Sequence, residues 1–257
     1  MAGESIIRAA VAGAHGKMGR LAVETLRGEE KAGIAYAGGL VRPGATTHGC
    51  EYVHLARLLS DGRPHVLVDF THFPESKRIA LGCIEHGVRP VIGTSGYGAE
   101  DVAELRAACD AKGIGAVFAP NFALGAILMM KFAETAAKHY ADVEIVEMHE
   151  SGKKDAPSGT ALATARRLSR ARAFNRAETA LTKIAGARGA DADGVGIHSL
   201  RLPGVVAHQE VLFGGDGETL TIRHDVYSRE SFMRGMLVAV RAAADLTAFV
   251  DGLEALL

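Results

Sequence analysis

With 257 residues, 48% of them hydrophobic, the chain is long enough for one large domain or two modest ones around a sizeable core. A net charge of -1 and a pI near 6.8 argue against a nucleic-acid surface, which carries a basic excess. Three cysteines without paired spacing, no basic segment leading into an apolar core at MAGESIIRAAVAG, and a longest apolar run (Phe122 to Met130) too short to span a bilayer lead us to expect a cytoplasmic protein with reduced thiols and no membrane partner.

Ile6 to Ala12 is almost wholly apolar, as in a strand buried on both faces of a parallel sheet. It runs into Gly13-Ala14-His15-Gly16-Lys17-Met18-Gly19, and a helical pattern with Leu21, Val23 and Leu26 follows. Strand, glycine turn and helix form the context of a dinucleotide loop, in which glycines let the backbone approach a pyrophosphate at the helix start. The spacing is G-x-x-G-x-x-G, and a structural turn without a ligand fits the same residues. A second strand, Ile34 to Leu40, ends at Val41-Arg42. NAD enzymes place an acid near here for the ribose hydroxyls. This chain has Val41, and Arg42 suits a 2′-phosphate. That tilts the cofactor towards NADPH, with NADH as the alternative and an ordinary surface arginine as the plain reading.

Residues 43 to 62 show a short helix around Tyr52 to Leu59 and little else. The alternation then resumes. His65 to Thr71 reads as a buried strand and Pro74 to Glu85 as a helix. Pro90 to Gly93 is a strand closing in Gly93-Thr94-Ser95-Gly96, and Glu100 to Ala111 is a helix. Ile114 to Phe118 is a strand closing in Ala119-Pro120-Asn121-Phe122. Repeated strand–helix units predict an α/β fold with a doubly wound parallel sheet, whose strand C-termini line one crevice. Thr94, Ser95 and Asn121 would face it.

After a long helix, Leu124 to His139, comes the stretch richest in chemistry, EIVEMHESGKKDAPSGTALAT from Glu144 to Thr164. An apolar alternation at Val143, Ile145, Val146 and Met148 gives way to a polar loop with His149, Glu150, Lys153, Lys154 and Asp155. Ser158 is a good N-cap, so the amides of Gly159 and Thr160 would form an anion site. A histidine that titrates near neutrality, two lysines and a helix start suit a substrate bearing carboxylates. A solvated loop with an ordinary cap fits the same residue types. Residues 174 to 196 look like loop. Three strand candidates follow, from Gly196, from Val205 to Phe213 and from Glu218 to Val226, separated by short glycine turns. They predict an antiparallel sheet with one open face, a natural oligomer surface. A helix from Glu230 to Ala243 and a short closing one would pack back on the first domain. The histidines lack metal-ligand spacing, so no metal site is expected.

VAGAHGKMGR, VDFT, VIGTSG, APNFALGAILMMKFAETAA, EIVEMHESGKKDAPSGTALATA and IHSLRLPGVVAHQEVLFGGDGETLTIRHDVYSRESFMRG occur in this order along nearly the whole chain. Through them the chain resembles the 4-hydroxy-tetrahydrodipicolinate (dihydrodipicolinate) reductase family. The resemblance implies a Rossmann-like dinucleotide domain, residues 1–123 completed by 230–257, and a substrate and tetramerisation domain, residues 124–229, with an open, mainly antiparallel sheet. It implies a homotetramer that reduces a cyclic unsaturated dicarboxylate in the diaminopimelate branch of lysine biosynthesis. By motif, Gly13, Ala14, His15, Gly16, Lys17 and Met18 would cradle the pyrophosphate and Arg42 the 2′-phosphate. Gly93, Thr94, Ser95, Ala119, Pro120, Asn121 and Phe122 would border the cofactor. His149 would be the proton donor and Lys153 the second catalytic cation, with Gly159 and Thr160 on a substrate carboxylate. The family usually has a second histidine where this chain has Glu150, among the substrate contacts. A carboxylate there would repel a dicarboxylate unless it turns away or pairs with Lys153 or Lys154. Another NADP-dependent dehydrogenase on the same plan, or a non-catalytic NADP-binding sensor, would share the glycine loop. Neither accounts for DAPSGT beside His149 and Lys153.

Overall fold

The computed structural model describes residues 6–174, 176 and 179–257. The chain divides into two compact units, residues 1–123 with 230–257, and residues 124–229.

The first unit begins with β1 (Ile7–Ala12), α1 (Lys17–Gly28), β2 (Ile34–Leu40), β3 (Glu51–Tyr52) and a single turn α2 (Leu55–Arg57). It continues with β4 (Val66–Asp69), α3 (Glu75–Glu85), β5 (Arg89–Ile92), α4 (Ala99–Lys112) and β6 (Ala116–Phe118). The second unit holds α5 (Leu124–Ala137), β7 (Asp142–His149), α6 (Gly159–Ala171), β8 (Ala190–Ala192), β9 (Val195–Arg201), β10 (Ala207–Gly215) and β11 (Glu218–Val226). The chain then returns to the first unit with α7 (Ser231–Ala243) and β12 (Phe249–Asp251).

The first unit is a seven-stranded sheet in the order β12-β6-β5-β4-β1-β2-β3. Every pairing in it is parallel. Ala9 to Ala12 and Val66 to Val68 are fully buried, which is why these central strands are apolar at every position. The chain winds outward from β1 in one direction through β2 and β3, and in the other through β4, β5 and β6. The crevice of such a sheet lies beyond the C-termini of β1 and β4, where the winding reverses. Two apolar clusters flank the sheet, one around Leu58, Leu67 and Ile79, the other around Ile84, Leu105 and Phe249. Helix α1 meets the sheet through Gly19, Ala22 and Leu26, one stripe at helical spacing.

The second unit is a five-stranded mixed sheet in the order β11-β10-β7-β9-β8. β7 and β10 pair antiparallel, as do β10 and β11 and β8 and β9, but β7 and β9 run parallel. Val143, Ile145 and Glu147 alternate along the buried face. Helix α6 faces inward through Ala161, Thr164, Ala165 and Leu168.

Three expectations are corrected here. The segment read as loop contains β8, whose Ala-Asp-Ala has none of the β-branched residues that mark a strand. The stretch read as a helix from Tyr52 to Leu59 gives Tyr52 to an edge strand, and only Leu55–Arg57 is α-helical before a turn of π-helix. The end of the chain first adds β12 to the parallel sheet and only then forms a short 3₁₀ turn, Leu253–Leu256. No helix among the described residues is long and apolar enough to cross a membrane.

Candidate functional site

In the first unit the glycine loop follows β1. Gly13 has φ +77°, and a Cβ there would meet the Phe70 carbonyl oxygen at 2.7 Å. Only glycine fits both the backbone angle and that approach. A Cβ on Gly19 would overlap the Gly13 carbonyl, so α1 sits directly on the turn. Gly16 caps α1 in an extended conformation with no side-chain acceptor for its first-turn amides. The start of α1, Lys17 and Met18, therefore presents uncapped amides at the positive end of the helix dipole, an arrangement that suits the pyrophosphate of a dinucleotide.

Two further loops reach the same end of the sheet. A Cβ on Gly93 would lie 2.8 Å from both Phe122 and Phe70, and those rings meet edge to face with centroids 5.7 Å apart. Ser95 and Pro120 are exposed and Ala119 is buried. Asn121 accepts from the Ala123 amide at 2.8 Å. Thr94 is buried and its hydroxyl is turned inward. It donates to Asp69 at 2.7 Å and to the Thr71 carbonyl at 3.1 Å. Asp69, fully buried at the end of β4, also accepts from the Thr71 hydroxyl (2.5 Å), the Thr71 amide (3.2 Å) and Ser76. This carboxyl locks two of the crevice loops together.

Val41 is buried and Arg42 is exposed just beyond β2. An acid does stand beside β2, on β3. Glu51 pairs with His15 of the glycine loop at 3.1 Å and accepts from the His48 amide at 3.0 Å. Burial pushes its carboxyl up, but the His48 and His15 hydrogen bonds outweigh that and hold it below the usual value.

The second unit gathers the titratable loop. β7 ends in His149, half-buried, with Nδ1 2.5 Å from Glu147. Burial lowers the histidine's pKa, Lys153 and Arg201 push the same way, and Glu147 opposes them. Lys153 Nζ lies 2.7 and 2.9 Å from the two carboxylate oxygens of Asp155. The lysine holds the Asp155 carboxyl below its usual value. Ser158 caps α6, its hydroxyl accepting from the Ala161 amide at 3.1 Å, which sets Gly159 and Thr160 in the first turn. Glu150 is exposed and its carboxylate lies 3.1 Å from Arg229, not on a lysine. Of the two arrangements expected for Glu150, turning away or pairing with a lysine, the lysine pair does not form: Lys153 is taken by Asp155, and Arg229, beyond β11, reaches Glu150.

A family model for the C-terminal domain of dihydrodipicolinate reductase matches residues 125–257, and one for the N-terminal domain matches residues 7–122. The chain belongs to the dihydrodipicolinate reductase family. It is 48% identical to a protein named 4-hydroxy-tetrahydrodipicolinate reductase from Halalkalibacterium halodurans, over 97% of this chain and 98% of that one. A relative of the same name from Shouchella clausii is 46% identical over 97% of this chain and 99% of its own length. The solved structure of a dipicolinate-bound dihydrodipicolinate reductase from Paenisporosarcina sp. TG-14 superimposes with a TM-score of 0.89 at 38% identity, covering 98% of this chain and 100% of that one. An amine dehydrogenase from Mycobacterium smegmatis, 14% identical with a TM-score of 0.68 and covering 97% of this chain and 96% of its own, shares the fold. As a member of the reductase family the chain is an NAD(P)-dependent oxidoreductase with a Rossmann-type cofactor domain.

Five residues of these sites went unmarked in the sequence: Glu51, Asp69, Glu147, Arg201 and Arg229. In VDFT the signal for Asp69 is a carboxyl that closes an apolar strand. Glu147 was a signal of its own, a charge at a position that alternation assigns to the buried face with Val143 and Ile145.

Proposed function

We propose that this chain catalyses the NAD(P)H-dependent reduction of 4-hydroxy-tetrahydrodipicolinate to tetrahydrodipicolinate, the reductive step of the diaminopimelate route to lysine, in which the 4-hydroxyl leaves as water to give a conjugated ring and that ring takes up one hydride and one proton. The observation that carries the reading is the loop from His149 to Thr160. It sets an imidazole, an ammonium and a helix N-terminus side by side, in a chain both of whose halves match this reductase family.

Gly13 to Met18 would hold the cofactor's pyrophosphate, Gly93 to Ser95 and Ala119 to Phe122 would border it, and when bound it would supply a hydride to the conjugated ring. Arg42 supports NADPH, by pairing with the 2′-phosphate, over NADH. Lys153 exchanges Asp155 for a substrate carboxylate, and because Asp155 is largely exposed the displaced carboxylate returns to water. The amides of Gly159 and Thr160 hold the second carboxylate and so fix the ring. His149 delivers the proton to the carbon that carries the developing negative charge. Glu150, engaged by Arg229, keeps its charge off the ring.

The face of the mixed sheet opposite its helices carries Val146, Met148, Leu200 and Leu212, all incompletely buried. Apolar residues on an open sheet face support association with further copies into a homotetramer, and a cytoplasmic setting suits the free thiols. Light scattering on the purified chain measures the first.

The deciding experiment makes the substrate in situ from pyruvate and aspartate semialdehyde with the preceding synthase, and follows NADPH oxidation with NADH in parallel. Synthase-dependent turnover is expected. NADPH binding without turnover would overturn the reading. Arg42→Ala should lower the NADPH to NADH preference about tenfold, one charge-assisted contact being worth about 1.5 kcal/mol.

A further inference from the structure

Beneath the loop lies a charge that neither hydride transfer nor carboxylate binding accounts for. Glu147 stands two residues before His149 on β7, so both side chains leave the strand on the same face. It is fully buried. A buried carboxylate is strongly unfavourable unless its lone pairs are used. Here Oε1 accepts from Arg201 Nη2 at 2.9 Å and from the Ser158 amide at 3.2 Å. Oε2 accepts from Arg201 Nη1 at 3.0 Å and faces His149 Nδ1 at 2.5 Å. Burial raises the carboxyl's pKa, but hydrogen bonds from Arg201, Ser199 and His149 outweigh it and keep the group ionised. An ionised carboxylate only accepts. His149 Nδ1 therefore carries its hydrogen whether the ring is neutral or charged. In the neutral ring the lone pair sits on Nε2, which has no partner among the described residues.

We propose that Glu147 is the positioning residue of the proton donor: it fixes His149 with hydrogen on Nδ1, presents Nε2 to the substrate, and, by also accepting the Ser158 amide, ties that ring to the carboxylate-binding start of α6. The inference rests on His149 being the donor. Arg201, delivered from β9, is the third member. It offsets the Glu147 charge and also donates to the Asp155 carbonyl at 2.7 Å, so the loop carrying Lys153 is tied to the same carboxylate. With its charge offset, Glu147 orients the ring without locking a proton onto it, and a donor has to release its proton.

The groups facing His149 are Glu147 from its own strand, Arg201 from β9 and Lys153 from the following loop. Glu147→Gln leaves the ring facing two cations. Arg201→Met leaves it facing an unbalanced carboxylate. The two variants must move its titration in opposite directions, which loss of packing would not do.

The test is ¹⁵N NMR of the full-length protein with labelled histidine, the His149 signals assigned by their absence in His149→Asn, alongside pH profiles of turnover. Above the histidine's titration the parent chain should show hydrogen on Nδ1. Glu147→Gln should lose that single tautomer and drop kcat on the order of 10²-fold, with NADPH affinity unchanged. The basic limb of its kcat/KM profile should move to lower pH, and that of Arg201→Met to higher pH. The double variant Glu147→Gln/Arg201→Met, with no buried charge, replaces either single variant that fails to fold and should show the same loss of tautomer. Hydrogen on Nε2 in the parent overturns the proposal whatever the activity. So does a folded Glu147→Gln that keeps the parent tautomer and pH limb while losing turnover. Full turnover in His149→Ala, with the expected parent tautomer, overturns the donor reading itself, and the positioning role with it, on separate grounds.

Discussion

Each unit is organised around one fully buried carboxyl group, and the two are satisfied in opposite ways. Asp69 in the first unit is surrounded by neutral donors, the hydroxyls of Thr71, Ser76 and Thr94 and one backbone amide. Glu147 in the second is met by a guanidinium, an imidazole and an amide. Neutral donors fix loops without adding a second ionisable group. A cation and a histidine make the same geometry respond to protons. The first arrangement suits a passive cradle for a cofactor whose chemistry is its own, and the second suits a site that must move a proton.

The largest effect that sharpens this contrast is loss of turnover without loss of fold. Lys153→Ala should lower kcat on the order of 10²-fold or more. It should shift unfolding in urea by less than about 0.5 kcal/mol, because its resting partner Asp155 is exposed. Unchanged turnover would remove the lysine from the site. Asp69→Ala should do the reverse. It leaves three hydroxyls without their buried acceptor, at a cost of about 2–4 kcal/mol in urea unfolding. It should weaken NADPH binding and leave the basic limb of kcat/KM in place. A moved limb would break the contrast between the two centres.

Acid should act on the second centre in two stages. His149 has a lowered pKa in the folded chain, so the stability it contributes is complete above the ordinary value of about 6.5 and is lost as pH falls through the lowered one. Glu147 is also lowered, so its contribution is complete above about 4.3 and is lost on further acidification. Tm measured against pH should therefore fall in two windows, with His149→Asn flattening the upper and Glu147→Gln the lower. Equal profiles for all three chains would show that neither group is linked to folding. The smallest effect belongs to Glu150→Gln. Its ion pair with Arg229 is exposed, so stability should change by under about 0.5 kcal/mol and KM for the dicarboxylate by less than about threefold. A large fall in kcat would give Glu150 an active role.

The parallel sheet was legible because its central strands are apolar at every residue, as in Val66 to Val68, and close in small or polar turns. β3, β8 and β12 were not, since each is an edge strand of two or three residues, too short to show a period, and β12 pairs with a neighbour distant in sequence. The parallel pairing of β7 with β9 is invisible for the same reason, since no turn dictates it. Within the candidate site, His149, Lys153 and Ser158 lie in one continuous motif and could be read together. What surrounds them could not, because Arg201 meets Glu147 across 54 residues and Arg229 meets Glu150 across 79. Local pattern identifies the groups that do chemistry. Their tautomer and charge balance are set by partners that only the folded sheet assembles.

The Lys153–Asp155 pair has a consequence for selectivity. Asp155 is a tethered competitor, present at an effective concentration that no dilute metabolite matches. A ligand with one carboxylate must displace it and gains only a like-for-like exchange. In the role proposed for Lys153, a dicarboxylate would add a second anchor at the start of α6, discrimination against monocarboxylates would reside in a lysine that is already occupied, and Asp155→Asn should make simple monocarboxylates better inhibitors than they are of the parent chain.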